Sequence, residues 1–355
     1  MPAPTTFKSA VVPEAGQKHV LVEKDLPEVR PRDLLIRVTA TAINPVDWKV
    51  RDYKAPWLPG YPAVLGSDAA GVVEAVGSEV VGFKQGDRVF FQGIIGDYPS
   101  STFQQYTRLP FDLAALTPES ITDDEAAGIS LATMAVAVGL YHSTGHDLKA
   151  PWSDKGSEVG KGKAIVILGG SSSVGQYAIQ LARISGFSKI ITNSSQTHEA
   201  HLLDLGATTV LDRSKATVQD FVSAIGDADL DLVYDSISGK STQALAVSIL
   251  QSLKGGNVIT VMPPDEDAVK QAGSTSQPKV EIKGIMGKGS SPDIKPISVP
   301  LMANLGGEEG YIAKGLFKPN RPLVLPGGLA AIEDALEANK KGVSGVKVVI
   351  RPNDA

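Results

Sequence analysis

Cysteine is absent from the 355 residues of this chain. Disulfides, thiolate nucleophiles, iron–sulfur clusters and every cysteine-based zinc site are therefore excluded. Positive charge is not in excess either: 34 basic side chains face 39 acidic ones, a formal charge of −5, with both signs spread along the chain. Affinity for a phosphate backbone needs a concentrated basic surface, so no nucleic-acid partner is expected. Long hydrophobic runs are missing as well. The longest apolar stretch with a helical reading, Ile129 to Tyr141, falls short of the about 20 residues that cross a bilayer. It reads as a buried helix. Met1 to Val12 lacks a basic region followed by an apolar core, so no secretory signal and a cytoplasmic protein without a membrane partner are expected. What the chain has in quantity is 36 glycines and 23 prolines, above the usual joint share of about 12%. Many tight turns suit strands better than long helical bundles, and 42% apolar residues suffice for two cores.

Three zones differ in texture. To about Asp123, short β runs such as Leu34–Ala42, Ala70–Val76 and Arg88–Gln92 are broken by turns at Gly77, Gly82 and Gly86. Their spacing predicts an antiparallel barrel, with Glu74 and Arg88 among its exposed positions. From about Asp124 to Ser298, buried strands at Ala164–Leu168, Lys189–Asn193, Leu230–Asp235 and Asn257–Val261 alternate with helical patterns. Such alternation predicts a parallel sheet covered on both faces. The zone from about Val299 predicts a helix over Gly328–Lys341 and a strand over Lys347–Ile350 that could rejoin the first domain. The resulting domains are 1–123, 124–298 and a return at 299–355.

The most informative stretch runs Ala164-Ile-Val-Ile-Leu-Gly-Gly-Ser-Ser-Ser-Val-Gly175. A buried strand leads through small residues into a helix, so backbone N–H groups can approach a pyrophosphate at a helix N-terminus. Ser172 replaces the middle glycine of the dinucleotide fingerprint, and a plain strand–turn–helix is the other reading. At the end of the second strand, where NAD sites place a carboxylate, the chain reads Asn193-Ser-Ser-Gln196. A carboxylate there would repel a 2′-phosphate, so its absence favours NADPH. Ser194 and Ser195 could donate hydrogen bonds and Arg213 could supply charge; ordinary loop roles are the alternative.

On these residues the chain resembles the medium-chain dehydrogenase/reductase superfamily over nearly its whole length. The resemblance is carried by Ala42-Ile-Asn-Pro-Val-Asp-Trp-Lys49, Pro62-Ala-Val-Leu-Gly-Ser-Asp-Ala-Ala-Gly71, Gly86-Asp-Arg-Val89, Ser101-Thr-Phe-Gln-Gln-Tyr106 and Gly342-Val-Ser-Gly-Val-Lys-Val-Val349. The loop and the Asn-Pro-Val-Asp-Trp-Lys segment look most like a zinc-free fungal branch of quinone oxidoreductase-like proteins and enoyl reductases serving polyketide synthases. The fold this implies is a Rossmann doubly wound parallel sheet plus a GroES-like β-barrel catalytic domain. Zinc members have a cysteine near Asn44 or Asp47, a histidine at Ser67 and a four-cysteine lobe, all missing here, so no metal is expected.

The activity implied is a zinc-independent, NADPH-dependent reduction of an enone, enoyl thioester or quinone. In relatives sharing Lys49 this lysine faces the nicotinamide ribose and substrate, which makes it the leading catalytic candidate. Asn44 and Tyr53 are further candidates, with Tyr53 a rival proton donor; the alternative, structural reading has Asn44 and Pro45 shaping the turn and Asp47 orienting a neighbour. The cofactor set implied is Asp47, Lys49, Thr133, Gly170, Ser171, Ser172, Ser173, Val174, Ser194, Ser195, His198, Arg213, Val261 and Ser344. Thr133 could instead bond its own helix. His142 with His146, and His198 with His201, have helix-face spacing but no evident further ligands. Trp57, Tyr98, Met134 and Met286 are expected to shape an apolar pocket. A small-molecule or acyl-carrier-bound substrate is expected, on a monomer or a homodimer paired near Lys279–Met286. The rival readings are a non-catalytic NADPH-binding regulatory or polyketide-synthase partner protein, and a metal alcohol dehydrogenase.

Overall fold

The computed structural model describes residues 4–53, 55, 58–274 and 277–354. Its glycine-punctuated start becomes β1 (Thr6–Val12), β2 (Val20–Asp25), β3 (Asp33–Ala42), α1 (Pro45–Asp52), β4 (Ala63–Val64), β5 (Ala69–Val76), β6 (Arg88–Phe91), β7 (Tyr106–Pro110) and β8 (Ala114–Leu116). Next come α2 (Asp123–Ala126) and α3 (Ser130–Tyr141). The middle alternates β9 (Lys163–Leu168), α4 (Ser173–Ile184), β10 (Lys189–Ser194), α5 (Glu199–Leu205), β11 (Thr209–Asp212), α6 (Val218–Ile225) and β12 (Asp229–Asp235). It continues with α7 (Lys240–Gln251), β13 (Gly256–Thr260), α8 (Glu266–Ala272), β14 (Val280–Gly284) and α9 (Lys295–Leu305). The chain closes with β15 (Arg321–Val324), α10 (Ile332–Lys341) and β16 (Val346–Ile350).

These elements form two compact units, Met1–Leu131 with Met302–Ala355, and Ala132–Leu301. In the first, a seven-stranded sheet of order β15-β16-β3-β5-β6-β8, with β7 also paired to β3, accompanies a three-stranded sheet β2-β1-β4. Alternation along the long central strand β3 turns Leu34, Ile36 and Val38 into a core with Val73, Val89, Phe91 and Leu109. The sheet is not wholly antiparallel as its sequence suggests, because β15 runs parallel to β16. β16 pairs antiparallel with β3, Val349 opposite Ala42. The expected helix at Gly328 begins as an α-helix only at Ile332, since Gly327 and Gly328 take φ of 103° and 58°, outside right-handed helix. Glu74 and Arg88 are half-buried rather than exposed: Glu74 meets Arg37 at 3.6 Å, and Arg88 Nη2 meets Asp123 Oδ1 at 2.7 Å.

The second unit holds a parallel six-stranded sheet of order β11-β10-β9-β12-β13-β14. The order reverses between β9 and β12, the place where doubly wound sheets open a crevice at their carboxyl ends. Continuous apolar runs explain the strands: Ala164 to Leu168 are all buried, with helices covering both faces of such a sheet. No helix of the described residues is long and apolar enough to cross a membrane.

Candidate active site

In the second unit, β9 ends in Gly169 and Gly170, and α4 starts at Ser173. Gly169 has φ +80°, and a Cβ there would strike the Ile237 side chain. A Cβ on Gly170 would strike Thr192, and one on Gly175 would strike the Gly169 carbonyl, so the loop is tight enough to need all three glycines. Ser172 has its hydroxyl committed: it caps α4 by accepting the Gly175 N–H at 3.0 Å and bonds Ser236 Oγ at 2.9 Å. Ser171, Ser172, Ser173 and Val174 are each half-buried. A helix N-terminus opening from a turn of small residues suits an anion.

Two side chains that the sequence did not mark hold this loop. Asn193 Oδ1 accepts the Gly169 N–H at 2.8 Å, while its carbonyl accepts that of Gly170 at 3.1 Å. Ser236 Oγ donates to the Leu168 carbonyl at 2.5 Å. Beside it Ser238 takes φ +55°, uncommon for a side-chain-bearing residue. Its N–H donates to Asp235 Oδ1 at 2.8 Å, its hydroxyl to the Asp235 carbonyl at 2.7 Å, and it accepts the Val261 N–H at 2.8 Å. Burial raises the Asp235 carboxyl above its ordinary range, against the pull of N–H donors from Ser238 and Ile237.

At the end of β10, Ser194 is 1% exposed and gives its hydroxyl to the Ser195 carbonyl. Ser195 Oγ lies 3.1 Å from Thr197 Oγ1. Arg213 is exposed, and its N–H donates to the Ser194 carbonyl at 2.9 Å. The neighbouring Asp212 carboxylate turns away to Ser214, held low by two hydrogen bonds from that residue. His198 is buried with its N–H on the Ser195 carbonyl. Thr133 is buried in α3. His142 Nε2 meets the Asp293 carbonyl, and His146 meets Asp231 at 3.4 Å. His201 Nε2 meets Gln176 Oε1 at 3.1 Å. Met134 is 1% exposed and Met286 71%.

In the first unit, α1 carries the other candidates. Asn44 is its N-cap, with Pro45 at the first helical position. The Asp47 carboxylate accepts the Asn44 N–H at 2.7 Å and the Ser67 hydroxyl at 3.3 Å. The Asp47 N–H donates to the Asn44 backbone carbonyl at 3.0 Å, and the Asn44 side chain is 3% exposed. Its Oδ1 accepts the Lys347 ammonium at 2.6 Å, and its Nδ2 donates to Asp68 Oδ2 at 3.4 Å. Lys347 Nζ also lies 3.4 Å from Asp68 Oδ2, and Asp68 Oδ1 accepts the Leu131 N–H at 3.1 Å. Burial pushes Asp47 up to about 7, despite the Asn44 N–H and the Lys347 charge, and raises Asp68 too. Asp68 and Lys347 were missed as site residues; both stood inside motifs quoted for the family, but their pairing spans most of the chain.

Lys49 is half-buried, its ammonium 5.4 Å from the centre of the Trp48 ring, and burial lowers its pKa. Tyr53, at the C-cap of α1, is 64% exposed. Ser344 is exposed and Tyr98 half-buried, while Trp57 lies outside the described residues.

Residues 30–119 match the alcohol dehydrogenase GroES-like domain family, and residues 173–304 the zinc-binding dehydrogenase family. The trans-enoyl reductase himH of Aspergillus japonicus is 32% identical over 324 residues, 90% of this chain and 89% of that protein. The chain belongs to the medium-chain dehydrogenase/reductase superfamily. An alcohol dehydrogenase superfamily protein of Novosphingobium aromaticivorans shares the fold with a TM-score of 0.76 at 24% identity, covering 97% of this chain and 99% of that one. A quinone oxidoreductase of Pseudomonas syringae does so at 0.74 and 21%, covering 98% and 100%. Members of this superfamily are oxidoreductases that bind a nicotinamide cofactor. The three-glycine loop, too tight for any Cβ and opening onto a helix start, fits the pyrophosphate of such a group.

Proposed function

We propose that the protein is a zinc-independent, NADPH-dependent reductase of an activated carbon–carbon double bond, an enone or enoyl thioester, or of a quinone. Backbone N–H groups of Ser171, Ser173 and Val174 would hold the pyrophosphate, while that of Ser172 donates to the Gly169 carbonyl at 2.9 Å and shapes the turn. Ser195 and Arg213 would meet the adenosine phosphate; the inward hydroxyl of Ser194 leaves that residue a backbone role. The absence of a carboxylate at the end of β10, where Asn193 instead clamps the loop, supports NADPH over NADH.

The observation that carries zinc independence is the buried ammonium of Lys347. It already lies against Asn44 and Asp68, with Asp47 hydrogen-bonded to the Asn44 N–H, around positions where zinc relatives keep ligands. A divalent cation beside that ammonium would be repelled at short range. The reading of a C=C substrate rests on the likeness to fungal trans-enoyl reductases, and that of a quinone on the likeness to quinone oxidoreductases.

When bound, the nicotinamide supplies a hydride to the electron-poor carbon. The chain must then stabilise the negative charge that grows on the carbonyl oxygen and provide a proton. Lys49 suits both tasks: its ammonium carries the positive charge that stabilises the oxygen, and burial, which lowers its pKa, eases loss of the proton from Nζ. The test is NADPH consumption by chelator-treated protein over a panel of enones, enoyl thioesters and quinones. Turnover of at least one class, preferring NADPH, with no bound zinc is the expected result. Stoichiometric zinc, a clear NADH preference, or NADPH binding with no turnover across the panel would overturn the proposal.

A further inference from the structure

Lys347 has no part in the chemistry just described, yet its placement is costly. It is 5% exposed on β16, beside the fully buried Val348. Gly128 gives its stem room: a Cβ there would come within 2.6 Å of Lys347 Cγ. A buried ammonium loses hydration that only close partners return. Here the partners are the Asn44 amide oxygen and the Asp68 carboxylate. Asparagine is a preferred N-cap. Here the Asn44 side-chain oxygen accepts the Lys347 ammonium at 2.6 Å.

The consequence falls on α1. This helix has only 8 residues, too few for intrinsic stability, so its position depends on what anchors its ends. The anchor at the first turn is the chain Lys347–Asn44–Asp68, with Asp47 closing onto the Asn44 N–H. Lys49 follows Asp47 by two residues on the same turn.

We infer that Lys347 is a positioning residue for Lys49, fixing the first turn of α1 through Asn44 and Asp68. The inference rests on the reductase reading for the role of Lys49. Lys347 acts through Asn44 and Asp68 and sets where the Lys49 stem begins.

The test uses the full chain with Lys347→Met, which keeps length and removes charge, and Lys347→Arg, which keeps charge. Lys347→Met is expected to lower kcat ~10-fold with little change in the KM for NADPH, and Lys347→Arg to restore part of it. Combined with Lys49→Ala, the methionine variant should cause no further loss, because both act through one group. An equal further loss in that background, or a folded Lys347→Met protein with wild-type kcat, would overturn the inference. Should Lys347→Met fail to fold, the paired variant Lys347→Met with Asp68→Asn removes both charges and takes its place, with the same expected and contrary results. Amide exchange in the ligand-free protein supplies a readout independent of turnover: faster exchange confined to α1 is expected, and unchanged protection there contradicts it. If the wild type reduces nothing on the panel, the reductase reading fails while this exchange measurement still decides whether Lys347 holds α1.

Discussion

At its N-terminal end, α1 meets two fully buried carboxylates, Asp47 and Asp68, with Lys347 as the cation between them. At its C-terminal end, Arg51 meets Asp52 at 2.7 Å, Glu333 at 2.8 Å and Glu337 at 2.7 Å, the last two on α10. Burial dominates the first group and raises both carboxyls. In the second group, the Arg51 hydrogen bond holds Asp52 low. Glu333 is lowered too, since hydrogen bonds from His19 and the Arg51 charge outweigh its burial. The difference shows how the fold treats one helix. One end is fixed by a desolvated cluster that favours protons, the other by a guanidinium clasp that favours bare carboxylates.

Removing the Lys347 cation at the first end should have the largest effect. Lys347→Met strands two buried carboxylates, and a loss of roughly 3–5 kcal/mol in denaturant-unfolding stability near neutral pH is expected. At the other end Arg51→Met leaves Glu333 and Asp52 with Lys340 as a remaining cation on Asp52. Those carboxylates reach solvent, so a loss of roughly 2–3 kcal/mol is expected at pH 7. The lowered pKa values mean that this contribution fades as pH falls through the folded pKa, so the Arg51→Met penalty should shrink in acid.

Asp47 runs the opposite way. Its folded pKa, about 7, lies above the unfolded value. The stability it contributes is full below the unfolded pKa and is lost as pH rises toward 7. Asp47→Asn removes that dependence, so between pH 5 and pH 8 the variant should gain roughly 2–3 kcal/mol relative to wild type. Parallel slopes for the two proteins would show that Asp47 is not the buried titrating group.

The glycine loop was legible because its strand, turn and helix are contiguous, and apolar runs such as Ala164–Leu168 announced buried parallel strands. The clamps on that loop were not. Asn193 and Ser236 look like strand-end polar residues until the parallel pairing of β10 and β12 with β9 brings them alongside Gly169. The α1 cluster was half visible: Asn44, Asp47 and Ser67 stood out, but their cation lies 303 positions beyond Asn44. A lysine within the strand Val346–Ile350 reads locally as a solvent-facing residue, and only the pairing of β16 with β3 turns it inward. The parallel β15 was hidden for a similar reason, since Pro322 in a 4-residue segment gives little strand signal.

Direct hydride delivery to carbon is the centre of the proposed function. The measurement is the mass spectrum of product formed from an enone or enoyl thioester with NADPH deuterated at the transferring position, in the presence of chelator. One deuterium bound to the β carbon is expected. A product carrying no deuterium at carbon, or turnover that the chelator abolishes and zinc restores, would contradict it.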